Sequence, residues 1–140
     1  TLLSYLVREP VKYLYNSLES RNISPEKNGF KGKLYILING GSFSNSGIVS
    51  SCLEFSKRGV FIGEETAGNK TVVYGNEATV ILPATKIKAL VTKTKYIIRE
   101  SENDGHGVIP AHYVVPSIAD IISNKDIVKE VALSLILKEK

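Results

Sequence analysis

The feature that most limits what this chain can fold into is a strand, a tight loop and a helix written in one run between Lys33 and Ser56. Leu34-Tyr35-Ile36-Leu37-Ile38 is a short apolar stretch with aromatic and β-branched members, which predicts a buried strand. Ile48, Val49, Cys52 and Leu53 recur at helical spacing with serines elsewhere, which predicts a helix with one apolar face. Gly40 to Gly47, mostly glycine, serine and asparagine, joins the two. Lys57-Arg58-Gly59 predicts the end of that helix, with a basic last turn and Gly59 as its C-cap. Val60-Phe61-Ile62-Gly63 is a second buried strand. Strand, helix and strand with short joints make a βαβ unit, hence a parallel pair with a right-handed crossover.

A strand that turns sharply into a helix presents its loop to the helix N-terminus, where free N–H groups and the positive end of the dipole favour an anion. A serine hydroxyl there can attack a carbonyl while the same N–H groups hold the oxyanion. Ser, Asn and Gly before a helix are also ordinary N-caps, the commoner use of such a loop, and the pattern alone leaves both uses open. The lipase-type elbow, glycine two residues either side of the serine, does not fit, because Ser44 is flanked at those distances by Ser42 and Ser46.

Either side of this unit the chain reads as follows. Leu2, Leu3, Leu6, Val7, Val11, Leu14, Tyr15 and Leu18 lie close to helical spacing, and Pro10 interrupts them. A short helix or extended segment is expected first, then a second helix beginning near Pro10. Residues 21–32 are polar with Pro25, Gly29 and Gly32, and predict a surface loop. Gly63 to Thr71 nearly spells a phosphate-binding loop, but Asn69 occupies the lysine slot and a strand, not a helix, follows, so nucleotide binding is rejected. Residues 77–83 alternate and predict a strand, and 85–99 one or two more. The proline-containing run from Val108 to Pro116 belongs at a sheet edge. Ser117 and Asp126 are the expected caps of two final helices.

Length and charge narrow the rest. At 140 residues the chain can form one domain with a proper core, read here as residues 1–140. Its 18 basic residues against 14 acidic are scattered, with no concentrated patch or motif for nucleic acid. No apolar run is long enough to span a bilayer, and no signal peptide is expected within these residues. The sole cysteine, Cys52, falls on the apolar helix face and predicts a core residue. No metal or cofactor is expected. The chain holds no methionine, so Thr1 is not expected to be a translational start, and an upstream part carrying some of an active site is expected to be missing.

Three blocks in order resemble the C-terminal-processing (tail-specific) and tricorn-like serine peptidase family. Leu34 to Ser44 is similar to the family's strand and nucleophile loop. Gly59 to Gly68, containing Gly63-Glu64-Glu65-Thr66-Ala67-Gly68, is similar to the strand and Gly-Glu-x-Thr-x-Gly loop that follow. Gly105-His106-Gly107-Val108-Ile109-Pro110 looks like the late Gly-Val-x-Pro-Asp element, with Ala111 in the place of the aspartate. The resemblance implies an α/β fold with a ClpP/crotonase-like core, a βαβ unit, additional strands and C-terminal helices. The chain would be the C-terminal portion of a peptidase catalytic domain.

The resemblance also implies peptide-bond hydrolysis through an acyl-enzyme on Ser44, with the Asn45 N–H in the oxyanion hole and Gly41, Phe43, Thr66 and Gly68 against the substrate. In the processing peptidases a lysine twenty-five residues after the serine is the general base, a count that lands on Asn69, with Lys70 beside it. In the tricorn-like branch the base is an upstream histidine, assisted by a late acid, for which Glu102 or Asp104 is the candidate, Glu102 preferred. His106 and His112 are not expected to be the base. The family further implies a peptide or protein substrate added as a strand beside the sheet, homo-oligomers, and export to the periplasm or cell envelope. An inactive peptide-binding module of the same fold, favoured by the missing lysine, stays open, as does an assembly domain.

Overall fold

The computed structural model describes residues 1–138. In chain order the elements are α1 (Leu2–Leu6), β1 (Val11–Tyr13), β2 (Arg21–Ile23), β3 (Leu34–Ile38), α2 (Asn45–Phe55), β4 (Gly59–Gly63), β5 (Val72–Ile81), β6 (Lys88–Ile97), β7 (His112–Tyr113), α3 (Ile118–Ile122) and α4 (Ile127–Lys138). The class is α/β, as the sequence predicts.

The βαβ unit is the centre of the molecule. β3 and β4 pair in parallel with Leu34 opposite Gly59 and Ile38 opposite Gly63. β7 adds in parallel to the other side of β4, so the proline-containing run does take the sheet edge. Two glycines make the β3–β4 approach possible. A Cβ on Gly63, at φ +122°, would lie 2.1 Å from the Ile38 carbonyl oxygen, and one on Gly59 would lie 2.7 Å from the Ile36 side chain. α2 and α4 both contact this sheet. Ile48, Cys52 and Leu53 of α2 join Ile38, Phe61 and Val108 in a core that extends to Leu3, Val7, Val11 and Ile23.

Four expectations need correcting. The segment after Pro10 is not a helix: Val11–Tyr13 is a strand antiparallel to Arg21–Ile23, and Tyr15 is bridged to Ile97. Long-range pairing overrides the helical spacing of the leucines. For the same reason residues 21–32 are not wholly loop, since they begin with β2. Lys57 and Arg58 lie beyond the C-cap Ser56, so the last turn of α2 is not basic; the left-handed residue is Lys57, at φ +50°, and Gly59 serves the strand approach and not the helix cap. Finally, α2 buries two of its serines: Ser51 is fully enclosed and its hydroxyl donates to the Lys70 carbonyl.

β5 and β6 form a long antiparallel hairpin, Val72 opposite Ile97 and Ile81 opposite Lys88. The closing helices start where the sequence places them. Ser117 and Asp120 make a reciprocal capping box on α3, and the Asp126 carboxylate accepts the Lys129 N–H at 3.0 Å.

Candidate active site

The loop between β3 and α2 is braced from within. The Asn39 side-chain oxygen accepts the Gly41 N–H at 2.9 Å, the Asn39 carbonyl accepts the Ser42 N–H at 2.8 Å, and the Ser46 hydroxyl donates to the Phe43 carbonyl at 2.8 Å. These bonds leave Ser44 at the mouth of α2 with φ +54° and ψ −123°. That region costs a residue with a Cβ about 1–3 kcal/mol and persists only where surrounding structure imposes it. Ser44 holds the N-cap position by backbone alone, for its hydroxyl makes no capping hydrogen bond, and the side chain is exposed. The capping use of this serine is therefore not what its hydroxyl does. The first bond of the helical ladder runs from the Ile48 N–H to the Ser44 carbonyl at 3.0 Å. The N–H groups of Asn45, Ser46 and Gly47 thus precede the ladder, and the Asn45 N–H directly follows the serine.

Beside Ser44 opens a cavity of about 460 Å³. Phe43, Gly47 and Ile48 form one wall, Ala67, Gly68 and Asn69 a second, and Val72, Val73, Tyr74 and Ile98 the third. Its lining is mostly apolar and includes no His, Lys, Asp or Glu. Of the residues that the sequence singles out, Ser44, Phe43 and Gly68 meet here, while Gly41, Thr66, Lys70 and Glu102 are not among the lining.

Their places explain why. Thr66 is buried as a structural pin: its hydroxyl accepts the Val108 N–H at 2.8 Å and its N–H donates to the Val108 carbonyl at 3.1 Å. The Lys70 ammonium lies 2.9 Å from Asp104. Asn69, at the counted lysine position, has a committed side chain: its oxygen accepts the N–H groups of Thr71 and Val72 at 2.8 and 3.2 Å, and its amide donates to Asn103. Glu102 is exposed.

His106 Nδ1 sits 3.0 Å from Glu65 Oε1, which also accepts the Gly107 N–H at 2.8 Å. That backbone N–H first, and His106 second, hold the Glu65 carboxyl below its ordinary range. The Lys70 ammonium, followed by the His106 N–H, does the same for Asp104. Residues 65–70 and 103–108 are thus laced together, and this lacing holds Gly68 and Asn69 at the cavity. Glu65, Asn103 and Gly107 are the residues that the sequence reading missed. Only Glu65 and Gly107 lay inside recognised blocks, and no local pattern reveals pairing across some forty residues.

Among the described residues, no group of three His, Cys, Asp or Glu side chains is placed to hold a metal ion, and no helix is long and apolar enough to cross a membrane.

Residues 4–114 match the model of peptidase family S41. No curated protein matches the chain by sequence. Among solved structures, a candidate peptidase from Parabacteroides merdae superposes with a TM-score of 0.70 at 17% identity, over 97% of this chain and 46% of that one. The photosystem II D1 C-terminal processing protease gives a TM-score of 0.51 at 23% identity, over 83% and 30%. Mature CPAF gives 0.54 at 23% identity, over 71% and 19%. At these identities the likeness is one of fold, and the chain spans less than half the length of each structure.

Proposed function

Because the chain belongs to peptidase family S41, we propose that it forms part of the catalytic domain of a serine peptidase and supplies the nucleophile, Ser44. The observation that carries this reading is the strained backbone of Ser44. A residue with a Cβ is held at φ +54° with its hydroxyl uncommitted, at a helix N-terminus and over an apolar cavity.

In the proposed reaction, Ser44 Oγ attacks the scissile carbonyl carbon while its proton passes to a general base. The Asn45 N–H stabilises the oxyanion of the tetrahedral intermediate. Collapse breaks the C–N bond, and the amine leaves with the proton. Water then cleaves the acyl-enzyme by the same route in reverse order. None of the cavity-lining residues is a His, Lys, Asp or Glu, so the base is proposed to come from a part of the protein beyond this chain, as in the tricorn-like branch. A carboxy-terminal-processing specificity, a substrate bound as an added strand, a crotonase-like core, homo-oligomers and an exported location are proposed on the family resemblance.

A second reading has its own observation. With Lys70 held by Asp104 and Asn69 committed to its own loop, the chain also fits a peptide-binding module without hydrolysis. Fluorophosphonate labelling of the full-length protein, with mapping of the modified residue, separates the two. Labelling at Ser44 that is lost in Ser44→Ala supports the peptidase. An intact fold that takes up no label supports the binding module.

A further inference from the structure

At the opposite end of α2 from Ser44 lies a larger groove of about 670 Å³. An eleven-residue helix places the two sites about 15 Å apart. Arg8, Lys12, Lys57, Arg58 and Arg99 line the groove against two acids, Glu9 and Glu100, which leaves an excess of three positive charges. Lys57 and Arg58 follow the C-cap of α2, Ser56, whereas Arg8, Lys12 and Arg99 arrive from other elements.

Two guanidiniums are held in place with donor capacity left over. Arg58 is buried; its Nε donates to the Leu6 carbonyl at 2.6 Å and its Nη2 to the carbonyls of Phe30 and Gly32 at 2.8 and 3.0 Å. These bonds fix the plane and leave Nη1 without an acceptor among the described residues. Arg99 is gripped by Glu54 through Nη1, and its enclosed Nε has no partner among the described residues. The ring of Phe55, 5.8 Å from the Arg99 guanidinium, and the side chains of Tyr15, Pro10 and Val11 give the groove an apolar wall. Lys57 reaches it from a left-handed backbone position where glycine is the ordinary occupant, so its side chain is retained against strain.

We propose that this groove binds a small organic molecule that carries a phosphate group, with the phosphate on the guanidinium cluster and an apolar or aromatic body against Phe55 and Tyr15. Its volume lies in the range of ligand sites. Preset guanidinium forks with an excess of positive charge match a phosphate dianion.

The test is thermal unfolding of the full-length protein titrated with inorganic phosphate and with phenyl phosphate, against sodium chloride at matched ionic strength. Both phosphates should raise the midpoint beyond the chloride control in a saturable way, phenyl phosphate at lower concentration. Lys57→Gly relaxes the backbone, so the unliganded variant should unfold at a higher temperature while its half-saturating phosphate rises about tenfold. Lys12→Gln, an exposed change, should weaken phosphate in the same direction. No excess over chloride, or unchanged half-saturation in both variants, overturns the proposal.

Discussion

The Lys70 ammonium lies 2.9 Å from the Asp104 carboxylate, and the backbone N–H of the same lysine donates to the His106 carbonyl at 3.0 Å. Both ends of Lys70 therefore face the 103–108 loop, and its carbonyl receives the Ser51 hydroxyl. Lys70 joins three segments at one point. If that is its work, Lys70→Met and Asp104→Asn should resemble each other. Each should lower kcat/KM of the proposed peptidase activity of the full-length protein less than tenfold, about 1.4 kcal/mol of transition-state stabilisation at most. A Lys70→Met enzyme that folds normally and loses activity as completely as Ser44→Ala would instead make Lys70 the base.

Strain at Ser44, the proposed nucleophile, makes a second prediction with opposite signs on stability and activity. Ser44→Gly removes the Cβ from a backbone at φ +54°. The protein should unfold at a temperature about 3 °C higher, while hydrolysis and fluorophosphonate labelling vanish. Ser44→Ala abolishes the same activity but keeps the Cβ, so it should leave the midpoint close to wild type. Comparing the two melting curves isolates the backbone contribution. Equal midpoints would mean that the turn is not strained.

What the sequence made legible follows how local each feature is. The run from Leu34 to Gly63 carries its own signals, an apolar run, turn residues and helical spacing within thirty residues, and it forms the strand, helix and strand that those signals predict. The segment around Val11 carried a helical spacing too, yet it is extended because Ile23 and Ile97 lie opposite it, partners that no local window contains. Lys57 and Gly59 show the same limit. Both can end a helix, and only the packing of Gly59 against Ile36 shows which one was needed for close approach. At the site, Ser44 was visible through its loop, whereas the Glu65 to Gly107 bond spans more than forty residues and came only with the fold.

That long-range lacing has a steric weak point. A Cβ on Gly107 would stand 2.0 Å from the Thr66 carbonyl oxygen and 3.0 Å from that of Gly68, both backbone atoms. Gly107→Ala should therefore separate residues 65–70 from 103–108 and cost about 3 kcal/mol or more. Urea unfolding checks the magnitude. A substitution that costs under about 1 kcal/mol would show the two segments to be freely separable.

The same lacing should loosen in acid. The Gly107 N–H, with His106, depresses the folded-state pKa of Glu65, and Lys70 depresses that of Asp104. A carboxylate with a depressed folded pKa contributes its stability fully above the unfolded value, about 4, and loses it as pH falls through the folded value. Between pH 8 and 5 the Gly107 amide should keep constant protection from hydrogen exchange, once corrected for intrinsic rates. Below about pH 4 protection should fall, and Glu65→Gln should remove most of that dependence. A protection profile that already falls between pH 7 and 5 would contradict the assignment of this acid sensitivity to the two carboxylates.

Cys52 offers a probe of the core that is independent of activity. It is 2% exposed on the inner face of α2, and burial pushes its thiol up to about 11 despite the opposing charge of Arg99. At pH 8 the folded protein should therefore leave an aromatic disulfide reagent almost unreacted over minutes, whereas the protein in guanidinium should react with one equivalent at once. The slow reaction of the folded state should follow local opening of α2 away from β4. Gly107→Ala, which displaces the loop whose Lys70 carbonyl receives the Ser51 hydroxyl, should then accelerate it. Rapid labelling of the native wild-type protein would contradict the packing of α2 on the sheet.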